Sequence, residues 1–152
     1  MRSLASCLLS LLLAVTAAAQ VRTSLSLDPG SEKQPAIARL TLVIEPGWHI
    51  SSLTQPDGGP LRTVIGVPKD QRYRLAGKIS GPPPHTEHSP VFDLEVQTYD
   101  GRVAFVLPLE KNPDAKKSSS TGLTVEITYQ ACRGETCLLP QTDRITAQSP
   151  KP

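Results

Sequence analysis

Fifteen prolines and ten glycines run through this chain from Pro29 onward, and they break up any long helical pattern. Proline removes a backbone donor and clashes with the preceding turn, while glycine weakens a helix entropically. Between these breaks the apolar residues recur with period two, as in strands that bury one face. Leu40, Leu42 and Ile44 alternate with Arg39, Thr41 and Glu45 within Ala36–Glu45. Phe92, Leu94 and Val96 alternate with Asp93, Glu95 and Gln97. Val103, Phe105, Leu107 and Leu109 form one face of a third run, and Leu123, Val125, Ile127 and Tyr129 one face of a fourth. Val21, Thr23, Leu25 and Leu27 make a first strand, and Leu61–Val67 another.

The residues between these runs suit turns. Asp100-Gly101 lies between two alternating segments and predicts a hairpin. Asp28-Pro29-Gly30 and Asp57-Gly58-Gly59-Pro60 are further turn sequences. The polar, lysine- and serine-rich stretch Asn112–Thr121 reads as a mobile loop. Seven or so short strands, each with one apolar face, predict an all-β antiparallel sandwich of immunoglobulin-like type. The Cys…Trp…Cys framework of antibody domains is absent, and no internal repeat is present.

Residues 1–19 read as a secretory signal peptide: Arg2, an apolar stretch from Leu8 to Val15, then Ala17-Ala18-Ala19 before Gln20. The lipoprotein-like letters Leu4-Ala5-Ser6-Cys7 precede the apolar stretch instead of following it, so Cys7 is expected to leave with the leader. Residues 20–152 then form a single domain, exported to a periplasmic or extracellular compartment where a disulfide can persist. The formal net charge is only +2, and no basic block offers phosphates a surface, which excludes nucleic acid as a partner. No second apolar run reaches membrane-spanning length, so no transmembrane segment is expected after the leader.

Two cysteines remain, Cys132 and Cys137, with four residues between them in "YQACRGETCLLP". A disulfide closing so short a loop contributes only ~2 kcal/mol in the chain-entropy model. It is a poor staple for a sandwich whose strands can bury a core unaided, although close pairs in exported domains are commonly structural. Arg133 beside Cys132 favours a thiolate, and Glu135 opposes it. Gly134 permits a tight turn. Spacing leaves staple and switch both open.

Three segments settle on a resemblance: "PGWHISSLTQPDGGPLRT" (Pro46–Thr63), "PHTEHSPVFDLEVQTYDGRVAFVLPL" (Pro84–Leu109) and "VEITYQACRGETCLLP" (Val125–Pro140). In this order they resemble the N-terminal periplasmic domain of DsbD-type thiol:disulfide interchange proteins, the disulfide-bond corrector family. The resemblance covers most of the chain after the leader, and its most specific part is the Tyr-Gln-x-Cys…Cys…Pro segment. It implies an immunoglobulin-like sandwich with a redox-active hairpin loop that needs no cofactor. It makes Cys132 and Cys137 the redox pair, Cys137 forming the mixed disulfide with a partner and Cys132 resolving it. Phe92 matches the aromatic of a cap loop that shields the sulfurs; as a residue of an alternating run it fits a core position equally well. Family members place one more residue between the cysteines than the four found here, and carry acidic residues where this chain has Ser89-Pro90-Val91. Their membrane-embedded and thioredoxin-like parts have no counterpart in these residues. Electrons are therefore expected from a thioredoxin-like or membrane donor in trans, on their way to exported disulfide-containing proteins.

Other constellations are weaker. His49, His85 and His88 with the two thiols are a conceivable zinc or copper set, but the cysteine spacing is loose and His85 and His88 fall in a proline-bracketed loop, so no metal site is expected. His88 can instead tune the thiols by changing charge near neutral pH. Trp48 reads as core packing, and the polar residues of Thr54–Pro60 as partners for loop backbone. Ser118-Ser119-Ser120 lacks the histidine or glycine elbow of a nucleophile. Two functions stay in view: a thiol:disulfide exchange domain, and a non-catalytic immunoglobulin-like interaction module with a structural disulfide.

Overall fold

The computed structural model describes residues 19–115 and 122–148. The expected leader, apart from its last residue, and residues 116–121 of the polar loop lie outside them. Every regular element among the described residues is a β-strand.

β1 (Val21–Asp28) and β2 (Ala36–Ile44) pair antiparallel from Val21↔Ile44 to Asp28↔Ile37. The link between them is the expected Asp-Pro-Gly turn. Gly30 has φ +68° and donates its N–H to Asp28 Oδ1 at 3.0 Å. A Cβ at Gly30 would lie 2.5 Å from the Gln34 carbonyl oxygen, so only glycine fits.

β2 also pairs with the long strand β8 (Arg102–Lys111), whose far side carries the short β5 (Tyr73–Leu75). The resulting sheet has the order β1-β2-β8-β5. Period-two alternation sends Ala38, Leu40, Leu42 and Ile44 from β2, and Val103, Phe105, Leu107 and Leu109 from β8, into one core. Each fully buried leucine there contributes about 1.5–3 kcal/mol relative to exposure.

The opposing layer consists of two sheets. One runs β11 (Thr136–Cys137), β10 (Ala131–Arg133), β3 (His49–Ser51), β7 (Leu94–Tyr99), β6 (His85–Ser89). The other runs β12 (Gln141–Ala147), β9 (Leu123–Tyr129), β4 (Val64–Gly66). Gln130 alone separates β9 from β10, so one stretch of chain passes from the smaller sheet into the larger. Leu123, Val125, Ile127 and Tyr129 of β9 join Ile50, Tyr99 and Ala131 in the common core. The antiparallel sandwich expected from the alternation is therefore present.

Four local expectations change. Asp100-Gly101 is not a hairpin turn: β7 belongs to the five-stranded sheet and β8 to the four-stranded one, so the turn is a corner between layers. Gly101, at φ +57°, supplies the reversal and accepts the Ile44 N–H through its carbonyl, while the Tyr99 and Phe105 rings meet edge-on at 5.4 Å. Turn chemistry dictates that the chain reverses, not which strand it pairs with afterwards. Of Leu61–Val67 only Val64–Gly66 is strand, because Thr63 is drawn inward to bond Ser51 and Ser52. Phe92 leaves its alternation: Pro90 to Asp93 form a turn, with Asp93 at φ +51°, and β7 starts only at Leu94. His85 and His88 lie on the edge strand β6 rather than in a loop, where ladder bonds to β7 satisfy a polar sequence with no alternation to announce it.

Candidate functional site

The stretch Ala131–Cys137 is a tight hairpin. Cys132 faces Cys137 and Arg133 faces Thr136 across β10 and β11, leaving Gly134-Glu135 as a two-residue turn. Gly134, at φ +56°, holds the first central position, where a two-residue hairpin of the II′ class places glycine. The cysteines form a disulfide with their Cα atoms 4.0 Å apart. Beyond it, Leu138 donates its N–H to the Ala131 carbonyl at 2.9 Å, and Gln130 Nε2 donates to the Leu138 carbonyl at 2.9 Å. Gln130 thus braces the segment after Cys137 against the strand before Cys132. It stood in the quoted Tyr-Gln-x-Cys segment, but nothing in its residue type disclosed the brace.

The two sulfurs sit in different surroundings. Cys132 is 1% exposed, whereas Cys137 is exposed. Ala131 and its partner Ile50 point into the sandwich core, so strand alternation turns Cys132 to the outer face of the sheet. Cys132 is buried without belonging to the main core, and so is Val96 of β7. A separate small buried patch therefore covers the outer face at this point.

The patch borders a cleft of about 430 Å³ that includes Cys137, His49, Val96, Thr98, Gly134 and Glu135 in its lining. Its opposite wall is the β6–β7 hairpin, with Glu87, His88, Ser89, Pro90, Val91 and Phe92. Ser89 pairs with Leu94 at the end of that ladder, so Val91 and Phe92 ride on the hairpin tip, 57% and 42% exposed. Phe92 is thus a tip residue facing the cystine cleft and not part of the sandwich core.

The Thr54–Pro60 loop buttresses this hairpin from below. Buried Gln55 accepts the Gln97 N–H at 2.7 Å through Oε1, while Ser52 and Thr54 hydroxyls donate to Gln97 Oε1 at 2.9 and 2.6 Å. A Cβ at Gly59 would approach Gln55 Nε2 to 2.7 Å, which accounts for one glycine of the Asp-Gly-Gly-Pro run. The polar loop residues do satisfy backbone, as expected.

Charges are distributed unevenly around the cystine. The Arg133 guanidinium lies 4.7 Å from the centre of the Trp48 ring and is not among the cleft-lining residues. Trp48 itself packs half-buried against the core. On the cleft side His88 is flanked by carboxylates, with Asp93 at 3.7 Å and Glu95 at 3.9 Å. His49, which the sequence grouped with the thiols only as a discounted metal set, pairs directly with Cys132 across β3 and β10. Burial pushes its imidazole below the usual 6.5, against the opposing pull of Glu87 and Asp100. A three-residue strand starting after Pro46-Gly47 has too little sequence pattern to reveal that register. No group of three or more metal-ligating side chains is assembled among the described residues.

A cystine with one buried and one exposed cysteine suits thiol:disulfide exchange. The family model for the N-terminal part of the thiol:disulfide interchange protein DsbD matches residues 12–149. The chain belongs to this family. Two solved domains share its fold. The DsbD N-terminal domain of Neisseria meningitidis, in the reduced form, superposes with a TM-score of 0.50 at 15% identity, over 74% of this chain and 76% of that one. The N-terminal periplasmic domain of ScsB from Proteus mirabilis gives 0.58 at 18% identity, over 88% of this chain and 48% of that one, so this chain spans about half of its length. No curated protein shows significant sequence similarity to the chain. The sandwich is accordingly the immunoglobulin-like fold of DsbD N-terminal domains, with its cystine in the β10–β11 hairpin. Among the described residues of this DsbD-family domain, no helix is long and apolar enough to cross a membrane.

Proposed function

We propose that this is an exported, periplasmic interchange domain that relays electrons from a thioredoxin-like or membrane donor in trans to other exported disulfide proteins. The observation that carries the reading is the asymmetry of the pair: Cys137 exposed at the cleft, Cys132 sealed 1% exposed behind it. A partner disulfide can reach only the outer sulfur. In the reduced domain the Cys137 thiolate attacks one sulfur of that disulfide, and the partner's other sulfur leaves as a thiolate. Cys132 then attacks Cys137, closes the intramolecular bond and releases the second partner sulfur. The partner gains two electrons and the domain loses them.

The hairpin is suited to repeated opening. Its ladder, the Leu138–Ala131 bond and the Gln130 brace hold the chain without the disulfide, and the sandwich core lies on the other face of the sheet. Phe92 at the facing tip serves as the cap, lying against the cleft until docking displaces it.

Titration in glutathione and thioredoxin redox buffers, monitored by tryptophan fluorescence and circular dichroism, tests the proposal. A reduction potential between about −180 and −270 mV with the fold retained after reduction is expected. A potential below about −300 mV together with unfolding on reduction would establish the alternative, an interaction module with a structural staple.

A further inference from the structure

We infer that His49 is the proton acceptor for Cys132 when that buried thiol resolves the mixed disulfide. The inference rests on the exchange reading and adds a residue to its second step. Cys132 is the Cα partner of His49 on one side and of Cys137 on the other. Paired residues of antiparallel strands project from the same face, with Cβ atoms about 4.5–5.5 Å apart. His49, Cys132 and Cys137 therefore form one row across three strands, on the face away from the sandwich core. His49 and Cys137 both line the cleft.

The row has a chemical consequence. A thiol in an apolar, covered site is held in its protonated form, because burial disfavours the thiolate. Cys132 must nevertheless lose its proton to act as a nucleophile. The guanidinium beside it in sequence is turned to Trp48 at 4.7 Å. On the neighbouring strand stands an imidazole that burial keeps neutral near pH 7, so it has an open nitrogen to offer.

The charged groups facing His49 from the adjoining elements are Glu87 on β6 and Asp100 at the β7–β8 corner; both stabilise the imidazolium once it forms. His85, 4.0 Å from Asp100, and the cleft residues His88 and Glu135 complete the titratable surroundings. The step balances as follows. The proton moves from the Cys132 sulfur to His49 as the Cys132 electron pair attacks the Cys137 sulfur. The Cys137–partner bond breaks, and the departing partner thiolate takes up the proton.

Stopped-flow reaction of the reduced domain with a small chromogenic aromatic disulfide separates the two steps. The first thiolate release is bimolecular and reports Cys137; the second is unimolecular and reports Cys132. In wild type the second rate should rise with pH and level off above the His49 titration. In His49→Gln it should fall about a hundredfold at pH 7, the low end of what a positioned base supplies, and climb steadily with pH without levelling off. The first phase should be unchanged, with circular dichroism matching wild type to show that the variant is folded. Added imidazole should restore the second phase in His49→Ala. A second phase in His49→Gln with wild-type rate and pH profile would overturn the inference while leaving the exchange reading intact. Absence of both phases in the folded wild-type domain would remove that reading and this inference together.

Discussion

Cys132 and Cys137 are direct cross-strand partners, yet one is 1% exposed and the other open to solvent. Two sulfurs joined by one bond are thus assigned unequal access by the sheet that carries them. Rate of exchange depends on access as well as on thiolate fraction, so the two thiols are expected to react unequally.

Single serine variants should separate the roles. Cys132→Ser leaves the outer thiol and should accumulate a mixed disulfide with a disulfide-containing thioredoxin-fold partner, seen as a shifted band on non-reducing gels. Cys137→Ser leaves only the covered thiol and should trap little. Equal trapping by the two variants would show that burial does not decide which sulfur attacks.

Phe92 makes its contribution at the hairpin tip, not in the sandwich core. Phe92→Ala should therefore change unfolding stability by about 0.5 kcal/mol or less, as for other surface positions. Its effect should fall on access: alkylation of Cys137 in the reduced domain by iodoacetamide should quicken several-fold. An unchanged alkylation rate would remove the cap role, whatever the stability did.

Packing sets a sharper constraint at Gly81, where a Cβ would lie 2.5 Å from Phe105 Cδ1. Phe105 is fully buried and held edge-on to Tyr99, so the ring has no free space to retreat into. Gly81→Ala should cost about 1–3 kcal/mol through overpacking, measured by urea denaturation. That cost should be smaller when Gly81→Ala is made in a Phe105→Leu background, since the smaller side chain vacates the contact.

Burial of His49 also has a stability consequence, because its folded pKa lies below the ordinary 6.5. Between those values the unfolded chain binds a proton that the folded domain does not. His49 therefore contributes stability above pH 6.5 that is lost as pH falls through the folded value. The difference in unfolding free energy between wild type and His49→Gln should shrink on going from pH 7.5 to pH 5. A difference independent of pH would contradict the burial of the imidazole.

Periodicity and composition specify the sandwich itself. The alternating residues of β2, β8 and β9 had to share one buried face, because a strand's side chains alternate and only one set is apolar. The cysteine pair and the Gly134 turn were equally readable from order alone. Short polar strands such as β6, and three-residue strands such as β3 and β5, carry too little pattern to be read.

Pairing across sheets needed the folded chain. Alternation tells each strand which face to bury but not which strand to lie beside, so Asp100-Gly101 could be a hairpin or a corner until β7 and β8 took separate layers. Whether Phe92 was core or tip depended likewise on where the β6–β7 hairpin folds, and which cysteine was covered on the packing around β10. The partnership of His49 with Cys132 joins positions 49 and 132, and register between segments so distant is set by the packing of the whole sandwich.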